Sequence, residues 1–334
     1  MSFFTEIQIP EFPWKMDYSK SMILFGSCFS ENIGQKLIDL KFQVDMNPFG
    51  ILYNPESIAN SLKILLEKRV FTENDLFNDQ GVWNSFYHHS RFSEVDRELA
   101  LENINSRIAS SHEFLKQADF LVLTFGTAWV YEYRKTGQVV SNCHKVPASE
   151  FKRFRLGVFE ITETYKDLLE VLWKFNPNLK VIFTVSPIRH WKDGAVENQV
   201  SKATLILAID RLINGFGNHI CGYFPSYELM MDELRDYRFY AEDMLHLSVV
   251  ATDYIFNRFS QVAIEKESAQ ISKDVMKIRR AVQHRPTNSG AAEYGNFLQT
   301  TLREIDKLTI TYPNLNFTGE KEDLERKLAD FQNQ

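Results

Sequence analysis

Four runs of strand-like sequence recur along this 334-residue chain, and they constrain its fold more than any other feature. Met22–Phe25 stops at Gly26, Phe120–Phe125 at Gly126, Lys180–Val185 at Ser186-Pro187, and His219–Phe224 before a polar segment. Unbroken apolar runs of this length suit strands buried on both faces, as in the middle of a parallel sheet. Between them lie stretches with helical periodicity: Ile33, Leu37 and Ile38, then Ile58–Leu66, Leu99–Gln117, Phe159–Phe175, Val200–Phe216 and Leu247–Phe259. Strands and helices that alternate at this spacing predict an α/β chain, a doubly wound sheet with helices on both faces. A short further strand is expected over Phe42–Met46, ended by the turn signature Asn47-Pro48-Phe49-Gly50.

The remaining segments are less regular. Residues 1–21 read as an arm that packs through its aromatics, and residues 70–92 as a long aromatic connection of the kind that often carries function. Trp129–Tyr133 and Gln138–Ser141, around Thr136-Gly137, suggest a small hairpin. The strand–helix pattern predicts one domain over residues 1–264. Beyond it the composition shifts to charged amphipathic helix (Lys273–Gln283, Asn296–Leu308, Glu320–Phe331), broken at Pro286 and at Asn288-Ser289-Gly290. That helical C-terminal extension, 265–334, either packs on the sheet or joins copies into a homo-oligomer.

Forty-four acidic against 38 basic residues, a net charge of −6, argue against a general nucleic-acid binder. No apolar run approaches the ~20 residues that span a bilayer, and residues 1–15 lack the pattern of a secretion signal. A cytoplasmic protein with no membrane partner is expected. Cys28, Cys143 and Cys221 have neither metal-ligand spacing nor a disulfide framework, and His88, His89 and His144 show no ligand spacing. No metal or other cofactor is expected, and Cys143 and Cys221 read as buried small hydrophobes.

Chemistry concentrates where strands end. The first turn, Gly26-Ser27-Cys28, sets a hydroxyl and a thiol at a helix N-terminus, where free N–H groups and the helix dipole converge. In open α/β sheets, sites gather beyond the carboxyl ends of the strands. Near the last of these ends stands Asp243-Met244-Leu245-His246. An Asp three residues before a His can hold the imidazole Nδ1–H and leave Nε2 free as a base. The alternative is Asp243 as a helix N-cap with His246 in the first turn. Arg189, Arg235 and Arg238 have the chemistry to bind a carboxylate or phosphate, or to form ion pairs with Glu228, Asp232 and Asp236.

Gly26-Ser27-Cys28-Phe29-Ser30 resembles the motif of the GSCFA family, a branch of the SGNH/GDSL hydrolase superfamily. Further blocks from about residue 5 to 260 carry the resemblance: His88 to Phe92, Gly126 to Trp129, Asn142 to Lys145, Ser186 to Trp191, Asn198 with Ser201-Lys202, Tyr227-Glu228, Leu234 to Arg238, and Asp243 to His246. The resemblance implies a three-layer α/β/α flavodoxin-like fold and an SGNH-like esterase or acyltransferase acting on an ester or thioester of a small molecule or glycan. Counted as in the superfamily, Cys28 takes the nucleophile position, with Ser27 as the alternative; His246 is the base and Asp243 its orienter. The superfamily's oxyanion asparagine is missing from Gly126-Thr127-Ala128-Trp129, so the expected donors are the N–H groups of Cys28 and Gly50 and Thr127, or an asparagine from elsewhere such as Asn47 or Asn198. Substrate contacts are expected from His88, His89, Trp129, Arg189, His190, Asn198, Tyr227 and Arg238. A non-catalytic protein that keeps the fold and binds a glycan or acylated metabolite is the competing reading.

Overall fold

In the computed structural model, which describes residues 5–284, 286 and 292–332, ten strands and ten helices follow the predicted alternation. The strands are β1 (Ser21–Gly26), β2 (Gln43–Met46), β3 (Phe77–Asp79), β4 (Val82–Asn84), β5 (Phe120–Phe125), β6 (Trp129–Tyr133), β7 (Gln138–Val140), β8 (Phe151–Arg155), β9 (Lys180–Val185) and β10 (Cys221–Phe224). The helices are α1 (Cys28–Asp39), α2 (Pro55–Glu67), α3 (Arg97–Gln117), α4 (Val158–Phe175), α5 (Gly194–Phe216), α6 (Ser226–Glu228, continued as a π-turn over Leu229–Glu233), α7 (Val249–Ala263), α8 (Lys266–Gln283), α9 (Ala292–Thr311) and α10 (Thr318–Gln332).

Five strands form one parallel sheet in the order β10-β9-β5-β1-β2. This is the flavodoxin-like order, and its direction reverses between β1 and β5, the point where such sheets open a crevice. Alternate residues of each strand feed the two faces. Ile23, Phe25, Leu121, Leu123, Val181 and Phe183 join the apolar faces of α2 to α5. Met22, Leu24, Phe120, Val122 and Ile182 join α1, α7 and the C-terminal helices. Ile271, Val275, Ile278, Leu298, Ile305 and Leu324 belong to that second core, so the extension packs on the sheet side of the molecule. Tyr18 ties it down through buried hydrogen bonds to Leu40 O and Ser272 Oγ.

Several element boundaries differ from the sequence reading. Residues 70–92 include the β3–β4 hairpin, and the predicted 129–141 hairpin gains a third strand, β8, which pairs with β6. Helix α5 starts six residues earlier than its apolar period, because Asp193 and Glu197 are held by Arg153 and Arg155 of β8. The predicted breaks at 288–290 lie outside the described residues.

The turn after β1 depends on glycine. Gly26 has φ +150°, and a Cβ there would lie 2.5 Å from both Cβ and O of Thr124 on β5. Strain and overpacking at such a position each cost about 1–3 kcal/mol. Gly26→Ala is expected to lower unfolding free energy by about 2–6 kcal/mol in urea titration, the sum of those two costs; a change under ~1 kcal/mol would contradict this packing account.

Candidate functional site

The residues after β1, β2, β5 and β9 meet at the crevice between β1 and β5. Ser27 is 3% exposed and caps α1: its Oγ accepts from Phe29 N at 3.3 Å and its hydroxyl donates to Ser186 Oγ at 3.1 Å. That hydroxyl is committed to joining the ends of β1 and β9. Cys28, the next residue, is half-buried and opens into a cleft lined also by Tyr53, Gly126, Thr127, Ser186, Ile188, Arg189, His190 and His246. As the first residue of α1, its N–H has no acceptor within the helix.

Asp243 and His246 form the expected pair, with Nδ1 2.5 Å from Asp243 Oδ2. The other carboxylate oxygen accepts from the N–H groups of Leu245 and His246, both at 2.9 Å. These bonds, led by the imidazole, hold the Asp243 carboxyl down at about 2. The N-cap alternative is not what forms, because α7 begins at Val249 and is capped by Ser248. With Nδ1 engaged, Nε2 is the ring nitrogen left for proton transfer.

The expected oxyanion donors fare differently. Gly50 N–H donates to Asn47 O at 2.8 Å and closes the turn after β2, so it is not free. Thr127 N–H donates to Tyr53 O at 2.9 Å; its hydroxyl pairs with Ser201 Oγ at 3.1 Å and accepts from Trp129 N at 3.1 Å. Asn47 Oδ1 accepts from Gly26 N, and Asn198 Oδ1 from His190 N. Sequence reasoning missed Tyr53, whose hydroxyl is 3.9 Å from Cys28 Sγ. Burial first, then the neighbouring Cys28 and Glu31, raises the Tyr53 phenol pKa and keeps it a donor.

Of the expected substrate contacts, Arg189 and His190 line this cleft, and His89 and Trp129 line an adjoining chamber. His88 does neither: it is 1% exposed, stacks on Phe49 at 4.7 Å, and its Nδ1 is 2.9 Å from Ser85 Oγ. Tyr227 is buried, donates to Gln199 Oε1, and lies beneath Lys202. Asn198 is buried and bound to the His190 backbone. Arg238 is exposed and paired with Asp236 outside the cleft. His144 is buried and its Nε2 lies within hydrogen-bond range of the Ser85 and His88 carbonyls. Among the described residues, no three His, Cys, Asp or Glu side chains are grouped to hold a metal ion. No helix there is long and apolar enough to cross a membrane.

Tyr53, Thr127 and His190 also line this second chamber, of about 470 Å³, so the two adjoin. That volume falls in the range of small-ligand sites, roughly 300–1,000 Å³. Trp129, Tyr131 and Phe151 of the small sheet line it, with Cys143 from the segment after β7. Burial raises the Cys143 thiol pKa. Behind the cleft, three residues on one face of α5 fix its rim. Asn198 holds His190, Ser201 Oγ accepts from Ala128 N at 2.8 Å, and Lys202 donates to the carbonyls of Gly126, Ser186 and Ile188 at 2.7, 2.6 and 2.9 Å. Burial draws the Lys202 ammonium down to about 7, opposed by the charge of Glu228.

Burial, followed by the charge of His144, lowers His88 to about 3, against 6.5 for a free imidazole. Below pH 6.5 the unfolded chain takes a proton that the folded chain refuses until about pH 3, so stability falls as pH falls through that window. His88→Phe is expected to flatten this acid limb, seen as a smaller shift of the urea midpoint between pH 7.5 and 4.5. Parallel profiles for the two proteins would count against a buried neutral His88.

The chain matches the family model described as "GSCFA family" over residues 21–259 and that of "GSCFA domain protein, C-terminal domain" over residues 275–330. Comparison with curated proteins gives no match. Among solved structures it is similar to an acetyl xylan esterase from the rumen bacterium Butyrivibrio proteoclasticus, at 13% identity and TM-score 0.35, covering 73% of this chain and 64% of that one. It is also similar to a carbohydrate esterase family 3 protein from Talaromyces cellulolyticus (9% identity, TM-score 0.36, 76% and 99% covered). A family two carbohydrate esterase from Clostridium thermocellum, solved with cellohexaose, gives 11% identity and TM-score 0.34, with 78% and 66% covered.

Proposed function

Because the chain belongs to the GSCFA family, we propose that it is an ester- or thioester-cleaving enzyme, a hydrolase or acyltransferase, whose nucleophile is Cys28. The observation that carries this reading is one cleft lined by both the Cys28 thiol and a histidine oriented by a carboxylate. The division of labour in the first turn supports the thiol over the hydroxyl, since Ser27 is spent on capping α1 and binding Ser186.

In this mechanism His246 Nε2 takes the thiol proton as Sγ attacks the acyl carbon. Asp243 holds the ring in one tautomer and stabilises the imidazolium that forms. The tetrahedral oxyanion receives the Cys28 N–H and the Tyr53 hydroxyl. Tyr53 suits this role because its phenol stays protonated and stands beside Sγ, whereas Gly50 and Thr127 have no N–H to give. Collapse breaks the acyl–oxygen bond, and the imidazolium protonates the leaving alkoxide. Water, or an acceptor alcohol, then gives its proton to His246 and attacks the Cys28 thioester. Acid or new ester leaves, and the thiol is restored.

Cys28→Ala and His246→Ala are expected to abolish turnover of short acyl esters while leaving the folded circular dichroism spectrum intact. Intact-mass analysis with peptide mapping should find the acyl adduct on Cys28 rather than Ser27; unchanged turnover in both variants would sink the proposal. Loss of one oxyanion donor costs ~10²–10³ in rate, so Tyr53→Phe should lower kcat by at least ~10² with a smaller change in KM. Equal kcat values would remove Tyr53 from the oxyanion site.

The competing reading, a ligand-binding protein without turnover, is favoured by one observation: the N–H groups of Gly50 and Thr127 are both consumed. Ligand binding with no adduct on Cys28 or Ser27 would support that reading.

A further inference from the structure

The cleft wall has a composition unlike the rest of the chain. The protein carries 44 acidic residues and a net charge of −6, yet neither chamber is lined by a single Asp or Glu. The lining instead holds Arg189, Lys192 and three histidines, His89, His190 and His246. Several acids on neighbouring segments are already engaged. Asp193 is held by both terminal nitrogens of Arg153, Glu197 by Arg155, Glu31 by Arg91 and Asp243 by His246.

Arg189 stands out among these cations. It shares the chamber of Cys28 and His246, and among the described residues it forms no ion pair. Its Nε is buried with no hydrogen-bond partner. The guanidinium is braced between aromatic rings, 5.0 Å from the Trp191 centroid and 5.8 Å from that of Tyr240. Arg235 and Arg238 contrast with it: both are exposed and pair with Asp232 and Asp236 outside the cleft. Lys192 lies farther along the same wall, donates to the Tyr131 hydroxyl, and likewise has no carboxylate partner among the described residues. A rigid, planar fork of donors beside a nucleophile, with no internal counter-charge, is built to receive a planar or tetrahedral anion.

We propose that the substrate of this site is itself anionic: a carboxylate or phosphate on the ester seats on Arg189 while the acyl carbon lies at Cys28. Lys192 adds attraction from the second chamber. This deepens the function proposed above and rests on it for the position of the acyl carbon, although the anion site can be tested without catalysis.

The experiment has a binding arm and a kinetic arm. Succinate and inorganic phosphate are titrated by calorimetry into Cys28→Ala, with and without Arg189→Met. One or both should bind, and Arg189→Met should weaken that binding at least ~10-fold, as loss of a bidentate charged contact does. Tighter phosphate binding assigns a phosphorylated ester, and tighter succinate binding a carboxylated one. In the kinetic arm, full-length enzyme is offered the acetate and hemisuccinate esters of one phenol. The ratio of kcat/KM, hemisuccinate over acetate, should exceed ~10 and should fall at least ~10-fold in Arg189→Met, with Arg189→Lys in between.

A ratio near one in the wild type, or one that Arg189→Met does not move, overturns the proposal even if both esters are cleaved. So does failure of both anions to bind. Anion binding through Arg189 with no cleavage of either ester leaves the anion site standing and removes the hydrolytic reading instead. If Arg189→Met does not fold, Arg189→Gln reads the same two ratios.

Discussion

The segments after four strands define the cleft, and one buried ammonium group holds two of them. Lys202 reaches through the layer of α5 and gives all three of its protons to the carbonyls of Gly126, Ser186 and Ile188. A buried cation is costly unless its hydrogen bonds are complete, and here they are. The return is geometric. Gly126 ends β5 and Ser186 ends β9, so one side chain fixes the separation of the two strand ends that flank the crevice. Ser201 and Asn198, one and four residues earlier on the same helical face, add bonds to Ala128 and His190. The loop after β2 closes the frame through Tyr53 O, which accepts from Gly126 N and Thr127 N.

This frame explains why the first turn can split its two reactive side chains between structure and chemistry. The Ser27 hydroxyl continues the polar network, meeting Ser186, whose carbonyl belongs to Lys202. The thiol next to it is left facing solvent and the Tyr53 hydroxyl. An anionic ligand in the cleft would meet cations on one wall and a framework neutralised by carbonyls behind it, with no carboxylate to repel it.

Much of this was legible in the sequence. Apolar runs ending at Gly26, Gly126 and Ser186 marked the central strands because strands buried on two faces have no polar alternation to hide them. The spacing of Asp243 and His246 allowed their pairing but left open an N-cap role for Asp243, and the contact of Nδ1 with Oδ2 is what the fold adds. Other features were hidden for physical reasons. A lysine on a helix normally signals a solvated face, so Lys202 entered only as part of a resemblance block and without a structural role. Only the set Asn198, Ser201, Lys202 and Leu205, all on one helical stripe, hints that polar groups occupy a buried face. His88 reads as polar, yet burial keeps it neutral and lets it pack like an aromatic. Gly50 looked like a free donor because a sequence shows which N–H groups exist but not which are already spent. β8 escaped notice because its alternation is short and its partner, β6, is separated from it by a loop.

The helices after α7 are bound into the same core as the rear face of β1. Family models divide the chain into two stretches, but the apolar side chains do not. Met22 and Leu24 of β1 share one cluster with Ile271, Val275 and Leu298. The strand that carries Gly26 and leads into Cys28 therefore draws its rear packing from the same apolar cluster as helices much later in the chain. The support beneath the thiol thus includes side chains that never border the cleft.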